Sequence, residues 1–139
     1  DGLRRCENQV LAGIAEKSVK EIAYQAQWSA EWVIRLGDGT EESHEKVQKS
    51  IDDLWMWTGE LFEKHPVFES LDSSFIDFST LKTQWIEKVA LVLEAATLQM
   101  PSPESWMQTG GRLGVHTAHL GFILAEMQSL PRAYPGASW

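Results

Sequence analysis

One helical repeat runs without interruption over residues 4–36 and is then cut off by Gly37-Asp38-Gly39-Thr40. Val10, Ile14, Ile22, Ala26, Val33 and Ile34 recur at three- and four-residue steps between charged Glu7, Glu16, Lys17, Lys20 and Glu31, the spacing that lines apolar side chains along one face of an α-helix. At about 1.5 Å per residue such a helix spans roughly 45 Å, and its first residues show no obvious cap. Gly37 can take the left-handed conformation that ends a helix, and Thr40 can cap the next one. Glu41, Glu42 and Glu45 follow in the first turns, where negative charge complements the helix dipole. The apolar series Val47, Ile51, Leu54, Trp55, Leu61 and Phe62 predicts a second long helix to about residue 64.

His65-Pro66 ends that helix, because proline lacks the amide the next turn needs. Residues 66–79 mix Ser, Asp and Phe without periodicity and read as a connecting loop packed by Phe68, Phe75 and Phe78. Leu81, Trp85, Val89, Val92 and Ala96 predict a third helix over residues 80–98, which Pro101-Ser102-Pro103 breaks. After the glycine-dense stretch Thr109-Gly110-Gly111-Arg112-Leu113-Gly114, residues 116–130 make a fourth helix that Pro131 closes. No segment alternates with the two-residue period of a strand. The tight turn lays the two longest helices side by side, so the fold class is all-α: an antiparallel helical bundle in which residues 1–139 form one domain of two long and two shorter helices. Two long helices make half a four-helix bundle. The chain has no initiator Met, which we read as a sign of a longer polypeptide, and it is expected to self-associate, two copies covering each other's apolar faces.

Twelve Lys and Arg stand against 20 Asp and Glu, a net charge of −8. That balance excludes a nucleic-acid binder and disfavours an anionic membrane surface, both of which need surplus cations. A single cysteine, Cys6, cannot form an internal disulfide and fits a reducing compartment, so the cytoplasm is expected. The seven tryptophans, among them Trp28, Trp32, Trp55, Trp57 and Trp85, supply large buried area or an aromatic interface.

Helical bundles hold di-metal sites with a Glu on one helix and Glu-x-x-His on another. Glu41-Glu42-Ser43-His44 matches that spacing, but it lies in a first helical turn, where acids serve as dipole partners. Glu21, Glu60, Glu94 and Glu126 sit in apolar stretches as interior candidates, none with a histidine three residues later. His116 and His119 share a helix face at i, i+3, spaced to chelate a metal or to brace the preceding turn. Gly110, Gly111 and Gly114 before a helix can turn backbone N–H groups toward an anion, with Arg112 adding charge. A plain structural turn explains the same glycines. Cys6 has no evident histidine base, so nucleophilic catalysis has no support.

Four stretches together carry a resemblance: Arg35-Leu-Gly-Asp-Gly-Thr-Glu-Glu-Ser-His44, Leu54-Trp-Met-Trp-Thr-Gly-Glu-Leu-Phe62, Thr109-Gly-Gly-Arg-Leu-Gly-Val-His-Thr-Ala-His-Leu-Gly121, and Leu124-Ala-Glu-Met-Gln128 with Tyr134-Pro-Gly-Ala-Ser-Trp139. They resemble the C-terminal half of the C-type subunit family of the bacterial phenylacetyl-CoA epoxidase, over essentially the whole chain. The resemblance implies a ferritin-like bundle within a multicomponent monooxygenase of aerobic phenylacetate degradation, in which a reductase feeds electrons to a di-iron subunit that epoxidises the ring of phenylacetyl-CoA. The C-type subunit is implied to be a structural partner without iron ligands, so no cofactor is expected in this chain and the di-iron centre is expected in the catalytic subunit. Glu21 and Tyr24 remain from the family's pattern, but position 25, His in some relatives, is Gln, and position 118, often Glu, is Ala. Both departures favour scaffold over catalyst and leave Glu21, Tyr24, His116, His119 and Glu126 as motif or interface candidates. The implied partners are the catalytic subunit, the other epoxidase subunits and the reductase, with no nucleic acid or membrane. Two other readings stay open: a free-standing di-iron or di-manganese enzyme using Glu21, Glu41, His44 and Glu94, and a coenzyme A or phosphate binder using Gly110, Gly111 and Arg112.

Overall fold

The computed structural model describes residues 2–66 and 77–138, and no strand occurs among them. The chain divides into two compact units, Asp1–Gln108 and Thr109–Trp139. In the first, α1 spans Gln9–Gly37, α2 spans Glu41–Leu54 and α3 spans Phe78–Ala95. The second holds a 3-10 turn at Gly111–Leu113 and two helices, α4 at Ala118–Met127 and α5 at Ser129–Ala133. The fold is all-α, as the periodicity indicates. No described helix is long and apolar enough to cross a membrane.

Helix α1 begins five residues later than its periodicity alone predicts. Asn8 is the cap, its side-chain oxygen accepting from the N–H groups of Val10 and Leu11 at 3.0 and 3.2 Å, and Asn satisfies these donors better outside a helix than within it. Residues Gly2–Arg5 form a separate 3-10 turn, which Arg4 ties to α1 through Glu16 at 2.6 Å. The turn into α2 follows the sequence reading closely. Thr40 and Ser43 make a reciprocal capping box, with Thr40 Oγ1 accepting from the Ser43 N–H at 3.2 Å and Ser43 Oγ accepting from the Thr40 N–H at 3.0 Å.

The second helix does not continue as α-helix to residue 64. At Trp55 it tightens into a 3-10 helix through Phe62. The Met56 carbonyl, which an α-helix would spend on residue 60, accepts from the Gln108 N–H at 2.9 Å instead, and the Trp55 carbonyl takes the Thr58 hydroxyl at 2.8 Å. Both bonds lie in the first turn of this tighter i→i+3 segment. Of the aromatic cluster expected in the connecting loop, Phe68 and Phe75 lie outside the described residues, whereas Phe78 is the first residue of α3.

Helix α3 starts on an Asp77 cap and stops before the prolines. Ala96 is its C-cap, and Thr97 follows with φ +58°, a left-handed conformation unusual for a β-branched residue. The Thr97 N–H bonds the Glu94 carbonyl at 3.0 Å and the Leu98 N–H bonds the Leu93 carbonyl at 2.9 Å, the paired bonds of a Schellman ending. The reversal drops Leu98 back onto Leu93 and Ala96, and these three form the buried core. Val33, Ile34, Val47, Ile51 and Val89 pack around it, so one core joins all three helices of this unit.

In the second unit, Pro131 lies inside α5 rather than closing the preceding helix. It stands in the first helical turn, where its missing N–H has no acceptor to serve.

Candidate functional site

Helix α1 and the end of α3 meet closely at Gly37. A Cβ built there would lie 2.5 Å from the Ala96 carbonyl oxygen and 2.9 Å from Leu98 Cδ1, so only glycine lets α1 and the end of α3 approach this far. His44, four residues into the next element, points its Nδ1 at the Gly37 carbonyl at 2.7 Å. A carbonyl only accepts, so Nδ1 carries the proton there. Thr97 Oγ1 donates to the same carbonyl at 3.4 Å. His44 therefore works as a brace across the helix junction, with both C-terminal ends of α1 and α3 held through one oxygen.

Beside the core of this unit, α1, α2, the Trp55–Phe62 helix and α3 surround an apolar groove of about 600 Å³. Ala26 and Ala30 of α1 are small and leave room, while Trp55 and Trp85 face each other across the ring contact with centroids 5.5 Å apart. Phe62 also meets Trp85, with ring centroids 5.5 Å apart. Among the groove's lining residues Lys88 alone carries charge, with Ser29, Ser50 and Thr58 adding hydroxyls. Such a surface takes up apolar groups; it offers no carboxylate or imidazole pair for proton transfer.

The candidate carboxylates expected in the interior do not lie there. Glu21 and Glu94 are exposed on α1 and α3, Glu126 is exposed on α4, and Glu60 is half-buried in the 3-10 helix. Glu21, Glu94 and Glu126 point away from the apolar face of their helices, even within stretches whose average composition is apolar. Tyr24 and Trp28 lie exposed on α1. Glu41 and Glu42 occupy the first turn of α2 and Glu42 pairs with Lys46 at 2.5 Å, the helix-end role read from the sequence. Among the described residues, no three His, Cys, Asp or Glu side chains come near enough together to share a metal ion. Glu21, Glu41, His44 and Glu94 are thus not gathered into one such group. Cys6 donates its thiol to the Asn8 carbonyl at 3.3 Å beside the α1 cap.

In the second unit, His116 precedes the helix and His119 lies in its first turn, both exposed. They therefore do not share a helix face, because α4 begins only at Ala118. Gly110 and Gly114 take φ +91° and +87°, left-handed values open to glycine. The N–H groups of Leu113 and Val115 both bond the Gly110 carbonyl, at 2.9 and 3.0 Å, and that of Gly114 bonds Gly111 at 3.3 Å. These donors are turned into the turn itself. Arg112 projects from it as an exposed side chain.

The groove and the His44 brace were not legible as sites in the sequence. Trp55 and Trp85 are separated by a long connection, and the partner of His44 is a backbone carbonyl with no side-chain signature. The glycine at position 37 was visible as a helix stop, but its role as a packing contact with Ala96 required the third helix.

Residues 1–139 match the family described as phenylacetic acid catabolic protein. A curated relative, the C-type subunit of the 1,2-phenylacetyl-CoA epoxidase of Escherichia coli (strain K12), is 41% identical over 131 residues, covering 93% of this chain and 52% of the relative. The chain spans about half the length of the curated relative it matches.

Proposed function

Since this chain belongs to the phenylacetic acid catabolic protein family, a family of ferritin-like helical proteins, we propose that it acts in phenylacetate breakdown as a structural, non-catalytic subunit of a phenylacetyl-CoA epoxidase. The observation that carries this reading is the 41% identity to a C-type epoxidase subunit across 93% of the chain. The placement of the candidate ligands supports it. His44 has its Nδ1 engaged by the Gly37 carbonyl at 2.7 Å, and Glu21 and Glu94 face outward. Position 25 is Gln and position 118 is Ala, where the resemblance implies a histidine in some relatives and often a glutamate.

In this role the chain packs against a catalytic subunit that holds the di-iron centre, works with the remaining epoxidase subunits and the reductase in the cytoplasm, and binds no cofactor of its own. Its exposed apolar and aromatic side chains are the material for such contacts, since interfaces draw on Trp, Tyr and Met.

The test is sedimentation of this chain mixed with the separately purified di-iron subunit at moderate salt, with iron analysis of both. A complex of added mass and iron confined to the catalytic subunit are expected. About two irons bound per copy of this protein would overturn the reading in favour of a di-metal enzyme, as would failure of the chain to bind the di-iron subunit.

A further inference from the structure

The segment Trp55–Phe62 keeps 3-10 geometry for 8 residues. Runs beyond about four are uncommon, because the hydrogen bonds are poorly aligned and side chains eclipse at every third position. Its residues are nevertheless spaced for an α-helix. Ile51, Trp55, Thr58 and Phe62 follow one another at steps of four, three and four, which continues the apolar face of α2. At about 100° per residue, an α-helix would set Phe62 about 20° from Trp55. At about 120° per residue, a 3-10 helix sets them about 120° apart. The row of every third residue instead aligns Leu61 with Trp55 and Thr58, and Leu61 is 53% exposed. No proline stands between Thr40 and Pro66 to stop the α form.

The chain that follows α3 bears on this segment. It is fastened to α2 at Gln99, whose N–H and carbonyl both bond the Gln48 side chain, and it reaches the 3-10 helix at residues 107 and 108. There the Gln108 N–H bonds the Met56 carbonyl at 2.9 Å. The α form assigns that same oxygen to the amide four residues on, at Glu60. Met107 closes over Gly59, where an added Cβ would lie 3.0 Å from Met107 Cβ and 3.3 Å from its sulfur. A glycine inside a helix also disfavours the α form relative to alanine. Two features at the middle of the segment therefore oppose the conformation that its spacing favours.

We propose that Trp55–Phe62 is a two-state segment, latched in 3-10 form by the Gln108–Met56 bond and the Met107–Gly59 contact, which rewinds as a continuation of α2 when residues 107 and 108 lift away. Rewinding shortens the segment by about 4 Å and turns Phe62 by about 140° relative to Trp55. Both rings lie against Trp85, each with centroids 5.5 Å from it, and Trp55 and Thr58 line the apolar groove. The latch thus sets the shape of the groove's aromatic end. A ligand that fits the groove in one form only would shift the latch by its difference in affinity for the two forms. The inference stands on the geometry of the first unit and does not depend on the epoxidase reading.

Nuclear magnetic resonance of the 15.7 kDa chain tests it. Contacts from an Hα to the amide proton two residues on mark the 3-10 form, and contacts to the one four residues on mark the α form. The wild type should show the first pattern over residues 55–62, with a through-bond coupling between the Gln108 nitrogen and the Met56 carbonyl carbon. Gln108→Pro removes the donor, and Gly59→Ala sets a methyl against Met107 while raising α propensity. Each should shift the segment to the second pattern, with contacts from Met56 to Glu60 and from Thr58 to Phe62, and Gly59→Ala should lose the Gln108–Met56 coupling. Gln108→Ala keeps the N–H and should keep the wild-type pattern. Should Gln108→Pro fail to fold, Gly59→Ala decides. A 3-10 pattern and intact coupling in Gly59→Ala, or loss of all helical contacts over residues 55–62 in the variants that fold, would overturn the proposal. So would an α pattern in the wild type with the Gln108–Met56 coupling present, or rewinding in Gln108→Ala.

Discussion

The side-chain amide of Gln48 holds both backbone groups of Gln99: its Oε1 accepts the Gln99 N–H at 2.8 Å and its Nε2 donates to the Gln99 carbonyl at 3.1 Å. An amide is the one uncharged side chain that can copy a backbone pair in this way. The contact fastens the segment leaving α3 to the flank of α2, just past the turn that carries Leu98 into the core.

Loss of this clasp has a defined consequence. Gln48→Ala is expected to lower stability by about 1–2 kcal/mol, the net worth of two hydrogen bonds near the surface, and to speed amide exchange at Gln99. Gln48→Glu keeps the acceptor but not the donor, and should fall between the two. Urea unfolding with exchange at Gln99 measures both; unchanged exchange in Gln48→Ala would show that the clasp does not hold the segment.

Two glycines of α1 should respond to alanine with opposite signs. At Gly37 the new methyl would meet the Ala96 carbonyl oxygen at 2.5 Å and cannot avoid it, because that atom is backbone. Gly37→Ala should destabilise by about 1–3 kcal/mol, as overpacking does. Nothing lies within 4 Å of a Cβ at Gly13, and Gly13→Ala should stabilise by about 0.5–1 kcal/mol through helix propensity. Paired denaturation curves decide it, and the same sign at both positions would contradict the packing of α1 on the end of α3.

Asp77 caps α3 with a carboxylate held at a pKa of about 2, below its ordinary 3.8, because the Thr80 hydroxyl, then the Ser79 hydroxyl and the backbone N–H groups bond the charged form. A pKa lowered by folding means that the contribution is complete above 3.8 and fades as the pH falls toward about 2. The Ser79 amide, which donates to Asp77 Oδ1 at 3.0 Å, should report a titration midpoint near 2. A midpoint at the ordinary carboxylate value would mean that the cap is not formed in solution. Asp77→Asn should remove this titration and leave the neutral-pH helix in place.

Much of this architecture could be read before any coordinates. The Thr40 cap, the stop at Gly37 and the all-α class depend on hydrogen bonds within a few residues and on a period of about 3.6. Neighbours in the chain supply those partners. The start of α1 was misplaced by sequence reading because Arg4 and Arg5 fit a helical pattern as well as they fit the 3-10 turn they form, and only Asn8 accepting two amides separates the two segments.

By itself, then, the sequence determined the helical content, the sharp reversal at residues 37–40, the acidic surface and the kinship to an epoxidase subunit, all of which follow from local pattern or residue identity. Tertiary structure alone decided where partners come from far along the chain. The Gln108 N–H reaches the Met56 carbonyl within the 3-10 helix at residues 55–62. Ala96 makes glycine obligatory at position 37, and Thr97 and His44 converge on one carbonyl from elements far apart in sequence. A backbone acceptor leaves no mark in the sequence of the group that will use it, and so these contacts become visible only when the helices have packed.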